Sequence, residues 1–281
     1  MNIGIRLHDT AEGTLSQRLS FAKAQGFSCA HLAMSKAVQG FAMSDAPRLL
    51  TKELAETVRS AFSQANMQCA VLGCYLNLVN RDEEALQKNL DIYHAHLRFS
   101  TLIGAQVVGT ETPLAKGTAF SEPAWESEEA FQCFMKNLKT VVRWAEEENA
   151  VLAIEPVYRD VISTPERAER MLNLIASDHL RIILDAVNLI APAKVDQADA
   201  IIADAIRRLG DKVSVLHLKD YTGINPDGNG LACAACGLGH MRYNELLAFG
   251  REKNLPMTLE NTMPENAQAA REYLEGIARE A

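Results

Sequence analysis

VLAIEP, residues 151–156, is an apolar run that stops on a carboxylate, and the construction returns as RIILDAVN at 181–188, VSVLHLKD at 213–220 and PMTLEN at 256–261. Each run is short, rich in Val, Ile and Leu, and apolar nearly throughout. Parallel strands covered on both faces read this way, whereas a sheet with one wet face alternates. Four earlier runs extend the series, giving the strand candidates Ile3–Leu7, Cys29–Met34, Gln68–Cys74, Gln106–Thr110, Val151–Glu155, Arg181–Asp185, Val213–Lys219 and Pro256–Glu260. Spread over 281 residues, eight units take about 35 residues each, enough for a strand, a helix and their turns.

The segments between the runs carry helical spacing. Phe131, Phe134, Met135, Leu138, Val141, Val142 and Ala145 follow an i, i+3, i+4, i+7 stripe, as do Ala198, Ile201, Ile202, Ala205 and Leu209. Thr164 followed by Pro165 supplies a cap and a first-turn proline for a helix carrying Met171, Leu172 and Ile175. Such alternation, without a composition break or a long linker, predicts a closed (β/α)8 TIM barrel, a single domain over residues 1–281, rather than an open doubly wound sheet. HDTAEG stands after the first strand where a dinucleotide fold needs GxGxxG, and neither a P-loop nor a GxSxG elbow occurs.

Connections after the second, fourth and seventh strands are long (Ser35–Thr51, Pro113–Ser127, Tyr221–Arg242), while the return turns at Ala150 and Gly210–Lys212 are tight. Long loops gather on the catalytic face of such a barrel, so the site belongs at the C-terminal ends of the strands. Those ends point to one side, where Glu155, Asp185, His217 and Glu260 converge. Three carboxylates and one imidazole suit a single divalent ion, Mn²⁺, Mg²⁺, Co²⁺ or Zn²⁺. Taken singly, each has an ordinary reading, a glutamate emerging into water or a core histidine bonded to a carbonyl. Their matching positions favour the metal.

Other polar residues line the same rim. Lys219 lies two residues beyond His217 on the same strand face and suits a substrate hydroxyl, carbonyl or phosphate oxygen, or is a solvated lysine. His8, Glu111, Arg159, His240 and Arg242 are candidates to bind a polyol, with Arg159 or Arg242 able to hold a phosphate. His31, His94 and His96 lie away from the strand ends and are expected to be structural.

Hydrophobic residues make up 48% and charged residues 23% of the chain, as in a folded globular protein, and the net charge of −8 argues against a nucleic-acid partner. The opening MNIGIRLHD lacks the apolar core of a signal peptide and no apolar run approaches a membrane span, so the expectation is a cytoplasmic protein. The six cysteines are dispersed; Cys233 and Cys236 form a CxxC in a Gly-rich loop with no second ligand pair, and are read as incidental thiols.

The strings IEP, LD at a strand end, HLKD, LEN and GLGHMRY, in this order, resemble the sugar phosphate isomerase/epimerase family of xylose isomerase-like barrels, which includes ketose 3-epimerases and inosose dehydratases. The resemblance implies that Glu155, Asp185, His217 and Glu260 hold the metal, at the ends of strands five to eight. It also implies that Glu155 and Glu260 pass a proton on opposite faces of an enediolate. Two positions depart from the ketose epimerases. Asn188 stands where they carry a histidine that contacts substrate, and YTGINP stands where they place an arginine.

The function expected is thus a divalent-metal-dependent sugar or sugar-phosphate isomerase/epimerase, with a small-molecule substrate and homo-oligomerisation left open. A dehydratase of a cyclic polyol or keto acid would use the same centre, and a non-catalytic sugar-binding barrel is the reading from a different class. AP endonucleases share the barrel but need three zinc ions and a richer histidine set.

Overall fold

In the computed structural model, which describes residues 1–280, the strands are β1 (Asn2–Arg6), β2 (Cys29–Leu32), β3 (Gln68–Gly73), β4 (Val107–Thr110), β5 (Leu152–Ile154), β6 (Leu180–Asp185), β7 (Val213–Leu218), β8 (Asp220–Ile224), β9 (Leu231–Ala234) and β10 (Pro256–Leu259). All but β8 and β9 close into a parallel barrel in the order β1-β10-β7-β6-β5-β4-β3-β2. The expected (β/α)8 TIM barrel is therefore formed, with β10 as its eighth strand. Asp185 and His217 are register partners across β6 and β7, so two of the proposed ligands are neighbours by strand pairing alone.

The helical stripes bury as their spacing predicts. In the helix Glu128–Glu147 all seven apolar stripe residues are buried, and in Ala198–Leu209 the stripe buries Ile202, Ala205 and Leu209. Thr164 caps the helix Pro165–Ile175 by accepting from the Arg167 N–H at 3.2 Å. The main core lies between the strands and this ring of helices. A smaller cluster of Cys29, Ala70, Val71, Val107, Ala153, Ile183 and Val215 fills the bore of the barrel.

The seventh connection differs from the expected loop. It opens with the antiparallel hairpin β8–β9, whose tip is a turn in NPDGNG with Gly228 in the left-handed region at φ 73°. Asp220 pins the rest of it. Its Oδ1 accepts from the Tyr221 and Met241 N–H groups at 2.9 and 2.8 Å, and its Oδ2 from those of Gly237 and Gly239 at 3.1 and 3.0 Å. A side chain at 239 would place its Cβ 2.2 Å from the Tyr221 carbonyl oxygen, so this close approach admits only glycine. Among the described residues no helix is long and apolar enough to cross a membrane.

Candidate metal centre

Glu155 and Glu260 each stand one residue past a strand, and the ladder continues through them. The Glu155 N–H donates to Thr110 O at 2.8 Å and the Glu260 N–H to Leu218 O at 2.9 Å. Asp185 closes β6 and accepts the Asn188 N–H at 3.1 Å, capping the short turn Ala186–Leu189. With His217 near the end of β7, the four side chains come together at the long-loop face, between 1% and 6% exposed.

Their mutual geometry is that of donors around a shared centre. His217 Nδ1 lies 3.2 Å from Glu155 Oε2 and 3.1 Å from Glu260 Oε1, yet neither ring nitrogen makes a hydrogen bond of acceptable angle. Ligands about 2.1 Å from one ion and at right angles to each other lie about 3 Å apart, which is this spacing. Ligand atoms of Glu155, Asp185 and His217 fall within 4.8 Å of one another. The charges agree as well. Three carboxylates face Lys219, and one dication brings the set to neutrality. The residues present fit a single divalent ion.

Neighbours hold each ligand. Glu155 accepts from Asn188 Nδ2 at 2.7 Å and from Tyr75 Oη at 3.3 Å. Lys219 Nζ sits 2.8 Å from Asp185 Oδ2 and 3.3 Å from Glu260 Oε2. Arg6, itself paired with Asp9 at 3.0 Å, reaches Glu260 Oε2 at 3.4 Å. Burial opposes the charged form of His217, but Glu155, Glu260 and Asp185 reverse this and push its pKa up to about 9. Burial would raise Glu260, and His217, Lys219 and Arg6 overcome it to hold that carboxyl well below the usual range. Glu111 is pushed up to about 8 by burial and by the nearby Glu155 and Asp160.

A cavity of about 480 Å³ opens beside the centre toward β1, β2 and β3, lined by Arg6, His8, His31, Tyr75, Glu111 and Glu260 among others. Of the candidate substrate contacts, His8 and Glu111 face this cavity, and Asn188 and Lys219 touch the ligands. The other three candidates are held by other partners. Arg159 is exposed and donates to Asn229 O at 3.2 Å, tying down the tip of β8–β9. Arg242 is a surface residue paired with Asp199 at 2.7 Å. His240 sits beside Tyr221 in a separate cleft with Arg242. His240 lies within the segment that Asp220 fixes, between Gly239 and Met241, and Arg242 follows it.

His31 is the converse correction. Expected to be structural, it stacks on His217 with ring centroids 5.3 Å apart. The cause is strand alternation, since His31 lies two residues beyond Cys29, which faces the bore, while Ala30 and Leu32 face the outer core. Arg6 and Tyr75 were not singled out by spacing, although an arginine inside the apolar run IGIRL was a visible signal. His94 and His96 lie on the helix Glu83–Ile103, one stacked on Trp144 and the other bonded to Ile92 O. The six cysteines are free thiols, with Cys233 exposed and Cys236 buried.

Comparison with known proteins places this geometry in a family. A stretch of 106 residues is 30% identical to D-psicose 3-epimerase of Enterocloster bolteae, covering 37% of this chain and 33% of that protein, so the match spans about a third of the relative's length. Among solved structures, D-psicose 3-epimerase from Clostridium cellulolyticum with D-tagatose superposes with a TM-score of 0.74 at 13% identity, over 99% of both chains. The IolI protein with a bound zinc atom gives 0.73 at 16% identity, over 100% of this chain and 97% of that one. The family model described as xylose isomerase-like TIM barrel matches residues 19–279, and the chain belongs to that family.

Proposed function

We propose that this protein is a metal-dependent sugar or sugar-phosphate isomerase/epimerase that moves a proton beside a carbonyl through an enediolate. One observation carries the reading. Glu155, Asp185 and His217 bring ligand-type atoms within 4.8 Å of one another, and Glu260 Oε1 lies 3.1 Å from the same His217 nitrogen, which has no hydrogen-bond partner. The partial similarity to an epimerase that acts on a ketose supports the substrate class. Glu155, Asp185, His217 and Glu260 would hold the ion, and Mn²⁺, Mg²⁺, Co²⁺ or Zn²⁺ bound there supplies a Lewis acid that acidifies the C–H beside the carbonyl.

The chain's own residues handle the proton. Asn188 and Tyr75, both neutral donors, orient Glu155, whereas Glu260 faces Lys219, Arg6 and His217. Held by these two donors, Glu155 is assigned to take the proton from carbon. A proton that reaches Glu260 is passed on, because the surrounding cations disfavour its neutral form. Lys219 and Arg6 hold the Glu260 carboxylate in place during the transfer.

A second reading, a dehydratase of a cyclic polyol or keto acid, is favoured by Glu111. A carboxyl pushed up to about 8 is protonated at neutral pH and can hand that proton to a departing hydroxyl. Incubation of ketoses and their terminal monophosphates with Mn²⁺ in D₂O, followed by NMR, distinguishes the outcomes. Deuterium at the carbon beside the carbonyl, with inversion, is expected; loss of water marks the dehydratase. Metal binding without exchange in any compound would sink both readings and leave a sugar-binding barrel. Glu260→Gln is expected to keep the melting temperature within a few degrees and to abolish inversion at that carbon.

A further inference from the structure

His31 is 2% exposed, and neither ring nitrogen has a hydrogen-bond partner among the described residues. The histidines that serve the fold behave differently. His96 bonds Ile92 O at 2.9 Å, His179 bonds Ala150 O at 2.6 Å and His94 meets Glu148 at 3.2 Å. The His31 ring is instead held flat between Tyr75, at 5.7 Å and 24°, and His217, at 5.3 Å and 18°, on the wall of the cavity that Glu260 and His8 also line. Two further features hold it there. Strand alternation puts it on the inward face with Cys29, and Gly73 leaves it room, since a Cβ at 73 would lie 2.8 Å from His31 Nε2.

Among the described residues no carboxylate forms an ion pair with His31, and its two unpartnered ring nitrogens can, in either neutral tautomer, offer one N–H donor and one lone-pair acceptor. A carboxylate or phosphate only accepts and would satisfy half of this pair. Hydroxyl groups both donate and accept, so two of them satisfy it fully. His31 also falls within 4.8 Å of His217 and Glu260 as a ligand-type group. A second dication there, however, would leave the three carboxylates and Lys219 with excess positive charge.

We propose that His31 is a substrate-contacting residue that reads hydroxyl groups of a polyhydroxylated ligand, whose carbon chain runs from the metal centre along β1–β3. The assignment deepens the sugar-directed function proposed above and rests on it. Calorimetry on the full-length protein with Mn²⁺ alone, and then with a ketose and its deoxy analogues, tests it beside steady-state kinetics. His31→Leu is expected to bind Mn²⁺ as the unaltered protein does, while ketose affinity falls at least tenfold and KM rises more than kcat falls. Deoxy analogues lacking the recognised hydroxyl should lose tenfold against the unaltered protein and nothing further against the variant, and His31→Gln should recover part of the affinity. Gly73→Ala, which crowds the ring, should reproduce the weakened ketose binding even where His31→Leu fails to fold. Weaker Mn²⁺ binding in His31→Leu would make His31 a metal ligand, and unchanged ketose affinity would make it a core residue; either overturns the proposal. Failure of the unaltered protein to bind any polyol overturns it too. Because binding is read by heat, a protein that binds ketose without exchanging its C–H still tests His31.

Discussion

Lys219 is the permanent countercharge of the centre, and its buried ammonium is held charged by Asp185, Glu260 and Glu155 against the opposing effect of burial. Removing it takes from Asp185 its ion-pair partner and leaves Glu260 with Arg6 and His217, and breaking such a buried pair typically destabilises by about 3–5 kcal/mol. Lys219→Met is therefore expected to lower the melting temperature of the ion-free protein and to bind Mn²⁺ more tightly, as read by thermal melts and calorimetry. Away from the centre, His96 sets a pH dependence. Burial lowers its pKa from an ordinary 6.5 to about 4, and the hydrogen bond from Nδ1 to Ile92 O offsets this only in part while Nε2 has no partner. The unfolded chain then binds the proton first, so stability is complete above about pH 6.5 and falls as pH drops toward 4, by about 3 kcal/mol at most. His96→Leu should flatten that slope in melts between pH 4 and 6.5. At this scale the convergence of the four proposed ligands was legible because each stands at the end of an apolar run. His31 was not, since CAHL reads as apolar throughout and the sequence does not say which of its alternating faces lines the bore.

Among the elements, the hairpin β8–β9 and the loop behind it depend on Asp220, a buried carboxylate receiving four backbone N–H groups. Asp220→Ala leaves those donors unpaired and is expected to destabilise by at least about 2 kcal/mol, with faster hydrogen exchange over Gly237–Met241. The chain carried a signal for this hairpin in the Pro-Asp-Gly of NPDGNG, which is turn chemistry between two short runs. The Asp220 network was hidden, because it joins backbone groups that no spacing rule connects. The helix Pro165–Ile175 was legible down to its cap, and Thr164→Ala is expected to lower stability by about 1 kcal/mol in denaturant titration.

For the whole molecule, eight repeats of about 35 residues read directly as a barrel, because each strand buries both faces and each helix one. An ion that binds only the folded barrel should raise its stability by mass action, by about 2.7 kcal/mol at a hundredfold excess over Kd, and chelation should reverse the gain in a thermal scan. The bore beneath the centre is plugged by Cys29, Ala70, Val71, Val107, Ala153, Ile183 and Val215. With the floor sealed, an ion and a sugar bound as proposed would share one doorway, the ion deeper. Whatever sugar sits above should trap the ion below, so a saturating ketose is expected to slow its stripping by EDTA.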